Sequence, residues 1–323
     1  MNIKSFSKTM IFSPMLNGEC HASTVLQVQK KLFMVAWFAG AKEGNNDVAI
    51  WGTYGDGENW ATPQRWEKIS DIPHWNPVLF RSYENIICLF FKVGSNCSEW
   101  VTYVTELKKM GRGEVLWAPA KELIPGSKIP RGPVKNKPIF LYNGILLAPA
   151  SIEGEKHWDV FVDISFDGGI SWTASKTVPI DRKEINGEGV IQPALWESTP
   201  GNVHMLARSS CGYLCRSDSN NCGISWSPIY KTDLPNNNSG IDIAKGNDGR
   251  LLLALNPVNI NWGPRTPLVL MISNDNGLSW QNVIELETEN GEFSYPAVIN
   301  INGGFVGTYT WKRKSIIFWK IET

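Results

Sequence analysis

Six polar residues stand where the chain reads as the start of a strand, four of them just before a proline and two before a small residue. They are His21-Ala22, Asn76-Pro77, Lys137-Pro138, Gln192-Pro193, Ser239-Gly240 and Tyr295-Pro296. Strands that begin at the centre of a closed β structure would pack best with Val or Leu, so a polar set there predicts a ligand pocket. Charged residues falling after second strands add chemistry to it: Glu43, Asp47, Lys92, Glu153, Arg208, Arg265 and Arg313. Arginine presents a planar fork that matches a carboxylate. His21 belongs to the residue type that titrates near working pH and suits proton transfer. Taken singly, each charge is more often a solvated surface group. Converging on one mouth, with Asn238 beside them, they point to an acidic small ligand. Trp75, Trp100, Trp158 and Trp262 are the aromatic faces expected to stack on a sugar ring.

The elements that position these residues follow from a repeat. Ser165-Phe-Asp-Gly-Gly-Ile-Ser-Trp172 returns as Ser273-Asn-Asp-Asn-Gly-Leu-Ser-Trp280, and with Asn for Asp as Ser219-Asn-Asn-Cys-Gly-Ile-Ser-Trp226. A worn copy ends at Trp60, and Trp117 falls on the same ruler. The steps between these tryptophans are 57, 55, 54 and 54 residues. In such a box Ser and Asp bond the backbone of a tight turn, Gly supplies a positive φ, and Trp plugs the turn onto the sheet. Asp167 and Asp275 therefore read as structural. Between boxes the chain reads as short strands, such as Leu32-Phe-Met-Val-Ala-Trp-Phe and Trp158-Asp-Val-Phe-Val. No helical period competes for long. Four strands per unit of about fifty residues fit a propeller blade. A length of 323 residues divided by the step allows six of them. The expectation is an all-β, six-bladed β-propeller of four-stranded antiparallel blades. It forms one domain over residues 1–323, closed by its N- and C-terminal strands.

Composition removes other classes. Lys+Arg and Asp+Glu are both 31, so no basic surplus exists to grip nucleic acid or an anionic membrane. Six cysteines with no CxxC pair, and four histidines, predict neither a zinc site nor a disulfide scaffold. They read as buried free thiols in a reducing, cytoplasmic setting. The opening MNIKSFSKTMIFSPML shows no leader pattern, and no stretch approaches 18 apolar residues. No nucleotide or phosphate loop and no HExxH motif appears, so no cofactor or metal is expected. Asn96-Cys-Ser and Asn237-Asn-Ser fit glycosylation acceptors only in a eukaryotic secretory route.

The boxes closing at Trp172 and Trp280 resemble the Asp-box, or bacterial neuraminidase repeat, of the sialidase superfamily. His-Ala-Ser-Thr, Trp-Asn-Pro-Val-Leu-Phe, Lys-Asn-Lys-Pro-Ile and Ser-Tyr-Pro-Ala are more similar to the bacterial proteins called predicted neuraminidases. The resemblance implies three arginines on a sialic acid carboxylate, a Tyr nucleophile partnered by Glu, and an Asp acid/base. By position Arg208 matches the second arginine, Arg265 the third and Tyr295 the nucleophile. The first arginine is replaced within Cys20-His21-Ala22, and the activating Glu by Gln192, which cannot take a proton.

The implied activity is release of a terminal acidic sugar, such as a sialic acid, by a glycoside hydrolase. Tyr295, His21, Glu43, Asp47 and Gln192 are its catalytic candidates, with Glu43 or Asp47 as proton donor. Arg208, Arg265, Lys137, Asn76, Arg313 and Asn238 are the substrate-binding candidates. Two alternatives stay open. One is a lyase on a uronate-containing glycan, with His21 and Tyr295 as base and acid and Arg208, Arg265 or Lys137 neutralising the carboxylate. The other is a carbohydrate-binding propeller without catalysis. The expected partner in each case is an acidic carbohydrate.

Overall fold

The computed structural model describes residues 3–111 and 113–323. Met1 and Asn2, which begin the segment read above for a leader, and Arg112 lie outside the described residues. The described chain forms six antiparallel sheets arranged as the blades of a propeller. Blade 1 opens with Glu19–Gln29, blade 2 with His74–Arg81 and blade 3 with Ile139–Phe140. Blades 4, 5 and 6 open with Val190–Thr199, Asp242–Lys245 and Phe293–Ile301. The N-terminal strand Ser5–Met10 pairs antiparallel with Ser315–Glu322 and is the outermost strand of blade 6. No helix among the described residues is long and apolar enough to cross a membrane.

Apolar side chains line both faces of the inner strands because each blade is covered by its two neighbours. The buried clusters are accordingly seams between blades. One joins Leu252 and Leu268 of blade 5 to Phe293 and Trp319 of blade 6; another joins Trp37 of blade 1 to Val306 and Phe318 of blade 6. The seam between blades 2 and 3 is the thinnest, with Val78, Phe80, Phe90, Val104 and Leu146 at its centre. A groove of about 560 Å³ lies open there.

The turn boxes work as their residue types dictate. Ser165 Oγ donates to Asp167 (2.7 Å) and accepts from the Gly169 N–H (2.7 Å). Asp167 accepts the Ser171 N–H at 2.9 Å, and Trp172 Nε1 donates to the Gly169 carbonyl at 3.1 Å. The boxes ending at Trp226 and Trp280 repeat this network. Hydrogen bonds to its charged form, led by those from Ser171, lower the Asp167 carboxyl to about 2, so it stays ionised and holds the turn. Blade 2 departs from the pattern. Where Trp117 continues the ruler there is no box, but a strand Glu114–Trp117 folded back on Val101–Gly111. Trp117 packs there on Trp66 of blade 1, ring centres 5.3 Å apart.

Between blades 2 and 3 the chain crosses the ring without regular structure and delivers Lys135 and Asn136 to the axis. Asp163, 0 % exposed, anchors that crossing. Its carboxylate accepts from Arg131 Nε (2.8 Å) and from the Gly132 N–H (2.5 Å). Removing one partner of a buried ion pair typically costs about 3–5 kcal/mol, because the other is left uncompensated. Asp163→Ala should therefore lower the melting temperature by several degrees in calorimetry. An unchanged melting temperature would show that the crossing is held by other contacts.

Candidate functional site

The mouth of the channel is shaped by a repeated backbone irregularity. The innermost strand pair is interrupted by a bulge between His21 and Thr24, Trp75 and Val78, Ile191 and Ala194, and Ser294 and Ala297. One residue in each is left-handed: Ala22 (φ 54°), Asn76 (39°), Gln192 (53°) and Tyr295 (52°). Asn238 (59°) does the same ahead of blade 5. Non-glycine residues seldom adopt this region, and a bulge re-aims a side chain that the strand would send elsewhere. The equivalent positions are thus Ala22 and Asn238. The sequence marks at His21 and Ser239 are each out of step by one, because proline is absent from both and gives no frame.

Arg208, 2 % exposed, is the hub. Its Nε donates to Asn238 Oδ1 (2.9 Å), and Nη1 donates to Gln192 Oε1 (3.0 Å) and Tyr295 Oη (2.6 Å). Arg265 Nη1 donates to Glu292 Oε1 (2.6 Å) and Ser294 Oγ (3.3 Å). The guanidinium carbons of Arg208 and Arg265 stand 5.6 and 5.4 Å from the Tyr295 ring centre. Arg313 Nε donates to both oxygens of Glu292 (2.9 and 3.0 Å), and Nη1 to Glu43.

The His21 ring lies 4.2 Å from that of Tyr295, centre to centre, with Nδ1 3.0 Å from Thr310 Oγ1. Arg265 Nη1 lies 3.4 Å from His21 Nε2. A guanidinium can only donate, so we assign the lone pair to Nε2 and the proton to Nδ1. Burial, then the charges of Arg313, Arg265, Arg208 and Lys135, push His21 well below the usual histidine range. It is a neutral imidazole. Burial alone would raise Glu292, but Arg265 and Arg313 outweigh it and hold that carboxyl below its ordinary value.

Beneath the ring, Lys135 Nζ donates to Asn136 Oδ1 (2.9 Å) and the Ile241 carbonyl (2.8 Å), and lies 5.9 Å from the Tyr295 ring centre. Burial pushes its ammonium down to about 7. Gly240 permits this packing, since a Cβ there would meet Lys135 Cε and Tyr295 Cγ at 3.2 Å. Trp262, 57 % exposed, stands 5.8 Å from the Arg208 guanidinium and edge-to-face with Trp158 at 6.1 Å. These two rings wall the mouth. Trp100, expected at the surface, is buried against Trp75, their ring centres 5.6 Å apart.

His21, Gln192, Arg208, Asn238, Arg265 and Tyr295 thus meet directly, and Glu292 ties Arg313 and Glu43 to them. Three other candidates lie apart. Lys137 Nζ is held by both Asp242 oxygens at 2.9 Å, beside a separate cavity that Tyr142, Lys245 and Asn300 also line. Asp47 is exposed and accepts the Ala41 N–H (2.7 Å), so it shapes its own loop. Asn76 is buried and donates to the Val134 carbonyl (2.9 Å), tying blade 2 to the crossing segment. Glu292, Ser294, Thr310 and Lys135 were not singled out from sequence. Only Glu292 had a signal, as the carboxylate three residues before Tyr295. No group of three or more His, Cys, Asp or Glu among the described residues could hold a metal ion.

A protein of unknown function from Dyadobacter fermentans superposes with a TM-score of 0.79 at 15% identity, over 99% of this chain and 100% of that one. The NanB sialidase of Streptococcus pneumoniae gives 0.71 at 13%, over 97% and 70%. Trypanosoma rangeli sialidase, bound to the inhibitor DANA, gives 0.68 at 14%, over 99% of this chain but 60% of that one. A search of the curated proteins finds no significant match. The fold is the six-bladed propeller of the sialidases. The BNR repeat-like domain matches residues 31–308, and the chain belongs to that family.

The suppressed His21 has a thermodynamic signature. Unfolded, it binds a proton below about 6.5; folded, it does not, so stability falls as pH drops below that value. The slope is at most about 1.4 kcal/mol per pH unit for one proton. His74, pushed down to about 4 by burial, adds a slope of the same sign, so the informative quantity is a difference. His21→Asn should lose less stability than the native protein between pH 6.5 and 5 in thermal melts. Parallel profiles would mean that His21 is protonated in place.

Proposed function

We propose that this protein is a glycan-cleaving enzyme that releases a terminal acidic sugar, a sialic acid or a related one, by hydrolysis. The observation that carries the reading is Tyr295 flanked by the guanidiniums of Arg208 and Arg265 on the floor of a polar funnel. Arg208, whose hydrogen-bond partners are all uncharged, provides the cationic charge for a carboxylate, and Trp262 and Trp158 offer faces to a sugar. An anomeric carbon bearing a carboxylate repels an anionic nucleophile, and tyrosine answers that problem. The 2.6 Å donation from Arg208 stabilises negative charge developing on Tyr295 Oη. Gln192 orients Arg208 through its Oε1 and takes no proton. His21, a neutral imidazole, packs on the Tyr295 ring with its Nε2 lone pair towards Arg265.

A second reading is favoured by Gln192. With no carboxylate bonded to Tyr295, the site also suits β-elimination on a uronate. Arg208 would neutralise the carboxylate, His21 would take the adjacent carbon-bound proton, and Tyr295 would protonate the leaving oxygen.

Incubation with sialylated and uronate-bearing oligosaccharides in ¹⁸O-water separates the readings. Free acidic sugar carrying ¹⁸O is the expected result, whereas an unsaturated uronate without label would establish elimination. No product from the panel would leave a carbohydrate-binding propeller. Tyr295→Phe should lower turnover by about 10²–10⁴-fold while leaving sugar binding near its native strength. Retained turnover would remove Tyr295 from the chemistry.

A further inference from the structure

Two cysteines meet at the hairpin turn that follows Arg208. Cys211 lies in the turn, partly exposed, and Cys215 lies in the next strand, Tyr213–Ser219, 1 % exposed. Their sulfurs stand 3.8 Å apart as free thiols, with the Tyr213 carbonyl 3.9 Å from each. Ser209 Oγ lies 3.0 Å from the Cys211 sulfur, accepts the Cys211 N–H at 3.2 Å and donates to the Tyr213 carbonyl. The turn is also packed from blade 5. A Cβ at Gly212 would collide with Asn259 Oδ1, and Asn259 Nδ2 donates to Tyr213 Oη at 2.7 Å.

A structural thiol is buried among apolar groups and stays inert. This pair is built differently, with one sulfur open to solvent and the second within reach behind it. A disulfide needs about 2 Å between sulfurs, so the remaining gap lies within the swing of a thiol about its Cα–Cβ bond.

We propose that Cys211 and Cys215 are a reversible redox modification site, oxidised to a disulfide by a hydroperoxide. The inference stands apart from the glycan-cleaving reading. The Cys215 thiol, donating to Cys211, lowers it to about 6 against burial. Burial pushes Cys88 up to about 11 and Cys20 and Cys97 to about 12. Cys211 is therefore the attacking thiolate. It takes the terminal oxygen of the hydroperoxide and becomes a sulfenic acid; the O–O bond breaks, and the other oxygen leaves with a proton as water or alcohol. The Cys215 sulfur then attacks the sulfenic sulfur, and the expelled hydroxide leaves as water with the Cys215 proton. Two electrons pass from the two sulfurs to the peroxide. The closed loop spans only residues 211–215, so the bond constrains the unfolded chain little and a dithiol can reopen it.

Trypsin cuts after Arg208 and Arg216, so both cysteines fall in one peptide, Ser209–Arg216. The native protein is exposed briefly to hydrogen peroxide, alkylated in denaturant, digested and weighed. The expected peptide is two hydrogens lighter than its reduced form and carries no alkyl group; dithiothreitol before alkylation should restore both alkylation sites. Two alkylated cysteines after peroxide, or a sulfinic acid on Cys211, would overturn the proposal. In Cys215→Ala the partner is gone, so Cys211 should stop at the sulfenic acid and be captured by dimedone. Capture at other cysteines but not at Cys211 would remove it as the attacking thiol. Cys211→Ser changes only the partly exposed position and checks the order of events. Its Cys215 should remain fully alkylated after peroxide, and an oxidised Cys215 would sink the assignment.

Discussion

The buried guanidinium of Arg208 is the constraint around which the funnel is built. Every group that hydrogen-bonds it is uncharged: an Asn oxygen, a Gln oxygen and a Tyr hydroxyl. A buried cation without a bonded counter-ion is costly, and its field reaches its neighbours through a medium of low polarisability. His21 accordingly stays neutral, with Arg208 among the charges that suppress it. The uncompensated charge at Arg208 is also what an anionic ligand would find on entering. The neighbouring Arg265 and Arg313 are balanced by Glu292 and Glu43 and form a second, largely neutral layer.

The ring makes this arrangement affordable. Six inter-blade seams, crowded with Trp, Phe, Leu and Val, stabilise the frame, and the polar axis is carried by it. The bulges at the strand starts convert a uniform β architecture into a site. A regular strand alternates its side chains between its two faces, while a left-handed residue breaks the alternation at one chosen point. Tyr295, Gln192 and Asn238 all reach Arg208 from such points.

Much of this was legible beforehand. The tryptophan ruler counted the blades because the turn boxes need Gly and Trp at fixed offsets that survive in the linear chain, and Trp117 keeps the step from a strand of blade 2 without a box. Arg208, Arg265, Tyr295 and His21 could be singled out because blade arithmetic places the ends of inner strands at one mouth. Lys137 has a contact that the linear chain hides. Its partner Asp242 lies 105 residues away in blade 5, and nothing in either segment announces the pair. Asp47 and Asn76 carried the right residue types, yet their hydrogen bonds are committed to backbone.

The sequence by itself determined the architecture, because local turn chemistry and strand spacing repeat along the chain and need no distant contact to be recognised. It also determined which residue types could gather at the axis. Only the tertiary structure decided which charges are compensated and which remain free. Closure of the ring brings Arg313 onto Glu43 across 270 residues and leaves Arg208 with uncharged hydrogen-bond partners. Protonation is set by burial and by the sum of neighbouring charges, and both exist only once the blades have closed.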